Sequence, residues 1–359
     1  MFIKTIKINN IRNLFAVEIE AHPKLNLLIG RNGAGKTSVL EAMVILAKGR
    51  SFRSGQAPSL IGPGGEKVTV FASTEDHRGV KRSLGIERDS RSWTARLNGQ
   101  DVAQLGDLAV HMPMVVMEPN SHLLISGPPE ARRRYLDWGV FHVEPDHLLS
   151  WRRYNRTLKQ RNAALKRRQR GVIQSLDPVL TKLGEKIDKG RRVHFDQLMQ
   201  TLSGVSGQLS TQLPEMVFDY TGGWSGDSLS ESLAESTERD MERGQTGPGP
   251  HRADVTFKVN GQAARDQLSR GEQKILAASL LLSQLVILGE QGNKPLLLLD
   301  DIASEFDTEH LNRLMSFGAA LGCQMWVTGT SPDPFAEHIA REGAVFHVEQ
   351  GEIARKTNT

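Results

Sequence analysis

Apolar and polar residues alternate from Ile3 to Ile8 and again from Ala16 to Ala21, the two-residue period of half-buried strands. The turn-prone Asn9-Asn10-Ile11-Arg12-Asn13 joins them. Leu25-Asn26-Leu27-Leu28-Ile29 breaks the alternation, and so short an apolar run predicts a parallel strand buried on both faces. From Thr37 to Ala47 the period lengthens: Leu40, Met43, Val44 and Ala47 recur at helical spacing, and Gly49 just past Lys48 suits a C-cap. Alternation returns in Lys67–Ala72, Lys81–Glu87 and Trp93–Leu97, where Asn98-Gly99 adds a tight turn, so this stretch predicts an antiparallel sheet. Met114-Val115-Val116-Met117 is a further buried strand, ended by Pro119.

From Pro129 the pattern turns helical, beginning with Ala131 to Trp138. Trp151, Tyr154, Leu158 and Leu165 fall at three-, four- and seven-residue steps, a coiled-coil-like seam. Leu176 to Leu202 predicts a second helix, with Leu180, Leu183, Ile187, Phe195 and Leu198 on its buried face. A break at Asp177-Pro178 would make the pair an antiparallel hairpin arm. Met216 to Tyr220 reads as a strand, Ser228 to Arg243 as an acidic helix, Gly247 to Arg252 as a stiff turn, and Asp254 to Val259 as a strand closed by Asn260-Gly261.

With 359 residues the chain is long enough for two or three domains. Its charge balance, 45 Lys+Arg against 41 Asp+Glu, matters less than where the charge lies. Between Trp151 and Arg170 stand Arg152, Arg153, Arg156, Lys159, Arg161, Lys166, Arg167, Arg168 and Arg170, with no acid among them. A merely solvated helix face is one reading. Solvated helices normally mix signs, so contact with nucleic acid is the better one. Cys323 is the only cysteine, which excludes an internal disulfide or a CxxC metal site and fits a reducing cytosol. The longest apolar stretch, Ile275 to Leu288, is interrupted by Ser279, Ser283 and Gln284. It is expected to be too short to span a bilayer, and the protein is expected to be soluble and cytoplasmic, with no membrane partner.

Gly30-Arg31-Asn32-Gly33-Ala34-Gly35-Lys36-Thr37 has the P-loop pattern, between the predicted strand and helix that such a loop requires. Glycines let backbone N–H groups close around phosphates, and the helix N-terminus adds its unpaired donors and positive dipole end. Lys36 is expected to reach the β- and γ-phosphates of ATP, and the Thr37 hydroxyl to take Mg²⁺. Leu296-Leu297-Leu298-Leu299-Asp300-Asp301 is an apolar strand ending in two carboxylates. Read as Walker B, it gives Asp300 to Mg²⁺ and Asp301 to the attacking water; read otherwise, the aspartates cap the helix that follows. Leu268-Ser269-Arg270-Gly271-Glu272-Gln273 opens a helix, where Ser269 and Gly271 can serve as an anion site, a capping box with Glu272, or both. P-loop, long insertion, this motif and then Walker B is the chain order of ABC-type ATPases.

The combination resembles the RecF family of bacterial recombination-mediator ATPases over nearly the whole chain. The resemblance rests on Ile11-Arg12-Asn13-Leu14, Gly30 to Thr37 with Val39-Leu40-Glu41-Ala42, and Gly49-Arg50-Ser51-Phe52-Arg53. It continues in Gly127 to Trp138 with Phe141-His142, Tyr154 to Asn162, Gly249 to Asp254, Leu268 to Gly271, and Asp300 to Asp307. Departures from the wider ABC pattern are Asp301 in place of Glu, Glu118-Pro119 at the Q-loop position without its Gln, and Thr328-Gly329-Thr330 at the switch-His position. The resemblance implies an α/β fold: an ABC-type P-loop head related to SMC heads, with a mixed sheet, flanking helices and an antiparallel β lobe, into which an α-helical arm is inserted. The expected division is residues 1–125 as the ATPase lobe with the P-loop, 126–212 as the arm, and 213–359 as the lobe with the signature motif and Walker B. It also implies ATP-dependent homodimerisation, weak DNA-dependent ATPase activity, and binding to duplex DNA and single-strand gaps. RecR, RecA and SSB-coated DNA are the implied partners. Two other readings, the ATP subunit of a membrane transporter and a P-loop kinase of a small metabolite, account less well for the basic helix and for the motif placed before Walker B.

Overall fold

The computed structural model describes residues 1–53, 60–144, 146–290, 292 and 294–356. In chain order the first elements are β1 (Phe2–Ile11), β2 (Leu14–Glu20), β3 (Leu25–Ile29), α1 (Lys36–Lys48), β4 (Val68–Glu75), β5 (Lys81–Arg88), β6 (Trp93–Leu97), β7 (Gln100–Asp101), α2 (Leu105–His111) and β8 (Met114–Met117). The helical region holds α3 (Leu123–Ser126), α4 (Pro129–Val143), α5 (Asp146–Lys166) and α6 (Arg170–Leu209). Then come β9 (Val217–Thr221), α7 (Leu229–Arg243), β10 (Asp254–Val259), β11 (Gln262–Ala263), α8 (Ala264–Gln267) and α9 (Arg270–Glu290). The chain closes with β12 (Leu296–Leu299), α10 (Thr308–Ala320), β13 (Gln324–Gly329), α11 (Ala336–Glu342), β14 (Gly343–Glu349) and β15 (Glu352–Lys356).

Two compact units result. The first holds residues 1–121, 205–211 and 278–359; the second holds 122–204 and 212–277. This differs from the three-part division expected, because residues 213–277 group with the helical arm and not with Walker B. The physical reason is pairing inside the second unit: Arg132 binds Asp254, and Arg161 binds Asp240.

The first unit contains an antiparallel sheet, β2-β1-β4-β5-β6-β7, and a mixed sheet, β15-β14-β3-β13-β12-β8. In the mixed sheet β14, β3, β13, β12 and β8 are parallel, and β15 pairs antiparallel at the edge. Ile29 therefore ends next to Gly329, and Leu299 next to Val327 and Met117, so the loops after β3, β12, β13 and β8 gather at one end. That end of a parallel sheet is where ligands bind. Helix α1 is buried nearly all round, Glu41 included, and shares one core with β1, β4, β5 and Trp326. A carboxylate there needs partners. Arg12 supplies them through Nε and Nη2 at 3.1 and 2.9 Å, and the Ser51 hydroxyl also donates to Glu41.

The second unit packs α5, α6 and α7 about Tyr154, Leu180, Ile187, Leu229 and Leu233. It also carries the small sheet β11-β10-β9. Two expectations fail in the helical regions. The break between arm helices falls at 167–169, where Arg168 is left-handed at φ 53, and Pro178 lies inside α6. Pro178 is tolerated because it and Gln174, whose carbonyl loses its helical donor, are both exposed. Helix α9 is also long and apolar enough by length and composition to cross a membrane, against the expectation; 67% of its most apolar window is buried within the fold, as in a core helix.

Candidate nucleotide site and basic arm

The loop Gly30–Thr37 leaves β3 and enters α1 with no side-chain cap, so the first N–H groups of the helix face the loop. Its glycines are required by space and torsion. A Cβ at Gly30 would lie 2.1 Å from the Val348 carbonyl oxygen, and Gly35 caps α1 at φ 119. Asn13, from the turn between β1 and β2, donates to the Gly33 and Ala34 carbonyls at 3.2 and 3.0 Å and holds the loop from outside. Arg31, Asn32 and Gly33 are exposed at the loop surface, while Ala34, Gly35 and Lys36 are buried. The Lys36 ammonium donates to the Gly30 and Arg31 carbonyls at 2.7 and 2.9 Å. Burial lowers its pKa, and the facing Asp301 and Asp300 oppose the shift.

Walker B meets this loop directly. The Thr37 hydroxyl donates to Asp300 Oδ1 at 2.8 Å, and the Thr328 hydroxyl at the end of β13 donates to the same oxygen at 2.8 Å. Burial raises the Asp300 pKa, and these two hydroxyls and Arg53 work against the rise. A buried carboxylate beside a hydroxyl is a donor set for a hard divalent cation such as Mg²⁺, and the residues present fit one. Asp301 follows in a left-handed conformation, φ 50, which a non-glycine residue adopts at a cost. Its N–H donates to Thr328 Oγ1 at 2.8 Å, and its carboxylate accepts from Ser304 Oγ at 3.0 Å. The torsion turns Asp301 away from the path of β12.

Three contributors had no role in the sequence reading. Thr328 is the shared anchor of both aspartates. Its signal was a polar residue next to the end of β13, after the apolar Met325-Trp326-Val327. Glu118 directly follows β8, whose last residue Met117 pairs with Leu299 just before Asp300, and its pKa is pushed up to about 7 by burial and by Asp300. Arg53, held through its N–H by the Ser51 hydroxyl at 2.9 Å, acts electrostatically on both Glu118 and Asp300.

In the second unit, Ser269 Oγ accepts from the Glu272 N–H at 3.3 Å, and Glu272 accepts from the Ser269 N–H at 2.7 Å. This is the reciprocal capping box, and it leaves the Gly271 end of α9 exposed. On the arm, Arg152, Arg153, Arg156, Lys159, Lys166 and Arg167 are exposed. Arg161, expected among the DNA contacts, is not: it is fully buried, bound to Asp177 at 2.6 Å, Asp240 at 2.8 Å and Thr246 at 3.1 Å. It lies on the buried side of α5, with Tyr154, Thr157 and Leu165.

The model of the RecF/RecN/SMC N terminal domain family matches residues 2–354. The DNA replication and repair protein RecF of Stenotrophomonas maltophilia (strain R551-3) is 40% identical over 366 residues, covering 98% of this chain and 99% of the relative. RecF of Thioalkalivibrio sulfidiphilus (strain HL-EbGR7) is 38% identical, with 98% and 99% covered. Among solved structures, the recombination mediator protein RecF-ATPrS in the RecFOR pathway superposes with a TM-score of 0.89 at 26% identity, covering 99% of this chain and 98% of that one. The SmcHead bound to the C-winged helix domain of ScpA has a TM-score of 0.58 at 14% identity, covering 99% and 98%, and shares the fold. The P-loop, the two Walker B aspartates, the mixed and antiparallel sheets and these similarities over the full chain agree: it belongs to the RecF/RecN/SMC N terminal domain family, on its RecF branch, with an ABC-type head.

Proposed function

We propose that the chain is an ATP-dependent, DNA-binding recombination mediator of the cytoplasm, in which ATP joins two copies and hydrolysis releases them. The observation that carries this reading is the convergence of Thr37, Asp300 and Thr328 at 2.8 Å beside the P-loop. It is supported by the likeness to the recombination mediator protein RecF-ATP in the RecFOR pathway. Lys36 and the loop N–H groups bind the phosphates, and Thr37 with Asp300 holds Mg²⁺. The cation, when bound, neutralises charge on the β- and γ-phosphates. Asp301, held by Thr328 and Ser304, orients the attacking water and takes its proton. Ser269 and the Gly271 N–H close over the γ-phosphate of a second copy. Arg152, Arg153, Arg156, Lys159, Lys166 and Arg167 contact DNA phosphates, and duplex DNA beside a single-strand gap is the substrate. RecR, RecA and SSB-coated DNA are the partners, and the action is to help RecA load. The test measures ATP turnover and sedimentation with and without gapped duplex DNA. Slow turnover raised by DNA, with a dimer in ATP and monomer in ADP, is expected; turnover indifferent to DNA and a monomer in ATP would sink the reading.

A further inference from the structure

Helix α6 buries one face against α5 and α7 and leaves another without a partner in the described structure. Val172, Val179 and Val193 are 45, 48 and 48% exposed. They share one heptad position, and Lys186 occupies the third of the four places in the series. Lys182 and Lys189 fall at the companion position, three residues beyond Val179 and Lys186 respectively. Together these six residues form a slowly winding seam along roughly 30 Å of helix, apolar at its ends and basic in its middle.

Beside the middle of the seam lies a groove of about 570 Å³, lined by Thr181, the three lysines, Pro178, Glu185 and, from α7, Ser230. The Thr181 hydroxyl is buried there without a hydrogen-bond partner among the described residues. Lys182 and Lys189 make no ion pair among the described residues, and Lys186 stands 3.9 Å from the exposed Asp146. The three lysines are exposed and give the groove a basic lining.

We propose that this seam docks an amphipathic, acidic helix of a partner protein, whose apolar residues meet the valines and whose carboxylates meet the lysines. Charge complementarity selects acid in the occupant. The valines select a protein over nucleic acid, because phosphates gain nothing from apolar side chains. A second copy of the same seam would set lysine against lysine. The surface is distinct from the basic face of α5, so the two assignments fail separately.

The test uses the full chain and a fluorescent peptide of about three heptads, with leucine at the seam positions and glutamate opposite the lysines. Saturable binding is expected. Lys182→Glu, Lys186→Glu and Lys189→Glu together should weaken it at least about tenfold, as should Val179→Asp, and a peptide with lysine for glutamate should then bind the charge-reversed variant (one charge-assisted contact is worth about that factor). Affinity for a duplex oligonucleotide should not change. Absence of saturable binding, or binding indifferent to both sets of changes, overturns the proposal. Loss of duplex affinity in the lysine variant without peptide binding overturns it in favour of a nucleic-acid face.

Discussion

At the scale of single residues, the nucleotide site depends on donors placed within one hydrogen bond of each other. Lys36 is compact enough to reach two loop carbonyls and still face Asp300 and Asp301. Lys36→Arg keeps the charge and replaces an ammonium by a planar fork. Turnover should fall to background in a phosphate-release assay, with ATP binding weakened less; normal turnover would take Lys36 out of the site. Buried histidines give a pH signature. Burial holds His194 and His251 down to about 4, against an ordinary value of 6.5. The unfolded chain then takes up protons below pH 6.5 that the folded chain refuses until about pH 4. Stability tied to each histidine is complete above pH 6.5 and is lost as pH falls through that window, by about 1.4 kcal/mol per pH unit. Glu118, raised to about 7, works in the opposite sense, so the wild-type curve mixes both. The difference between wild type and His194→Leu isolates one histidine. Urea midpoints at pH 7.5 and 5 (two points about either end of the window) should show the variant losing less stability on acidification than wild type.

At the scale of elements, most of the fold is legible in the chain because periodicity and punctuation agree. The helix predicted from Leu40, Met43, Val44 and Ala47 is α1, and Gly49 caps it at φ 66. The acidic helix at Ser228 is α7, with the Ser228 hydroxyl accepting from the Glu231 N–H. What was not legible depends on tertiary partners. Arg161 falls on the seam of Trp151, Tyr154, Leu158 and Leu165, seven residues after Tyr154, so its buried register was legible; its partners were not, since Asp240 and Thr246 reach it from far along the chain. Nor could local preference place a proline inside a 40-residue helix. The site was legible where one motif carries it, and not where Thr328, Glu118 and Arg53 meet by sheet register and loop return. The arm makes the contrast testable. Arg153, Arg156, Lys159 and Arg167 changed together to Ala should weaken DNA binding and flatten its salt dependence, by about 0.9 in log–log slope for each phosphate no longer neutralised. ATP binding should not move. Arg161→Met should instead destabilise the fold by about 3–5 kcal/mol, because Asp240 is left buried and unpaired. An unchanged salt slope in the first variant would show that the exposed face of α5 is only solvated.

At the scale of the molecule, the proposed clamp follows from charge and symmetry. A γ-phosphate held by Gly30 to Thr37 has oxygens that one loop does not cover. In the proposed clamp the N-terminus of α9, where Ser269 and Glu272 form a capping box, supplies the missing donors. Joining each phosphate to the α9 end of a second copy about a two-fold axis satisfies both partners, twice per dimer. ADP lacks the group that bridges the copies, so the nucleotide shifts the equilibrium only through the difference in affinity between its two forms. Two substitutions separate binding from release. Asp301→Asn keeps the shape and the N–H bond to Thr328 but removes the base. Sedimentation should then show an ATP dimer that persists on DNA, with turnover lost. Ser269→Arg places a bulky side chain at the α9 end while leaving the P-loop untouched. ATP should still bind each monomer, and no dimer should form. If Ser269→Arg dimerises in ATP as well as wild type, the α9 end is only a capped helix and the copies are joined elsewhere. If Asp301→Asn turns over normally, the base is another group, and Glu118 is the next carboxylate to change, since it directly follows the neighbouring strand and acts electrostatically with Asp300.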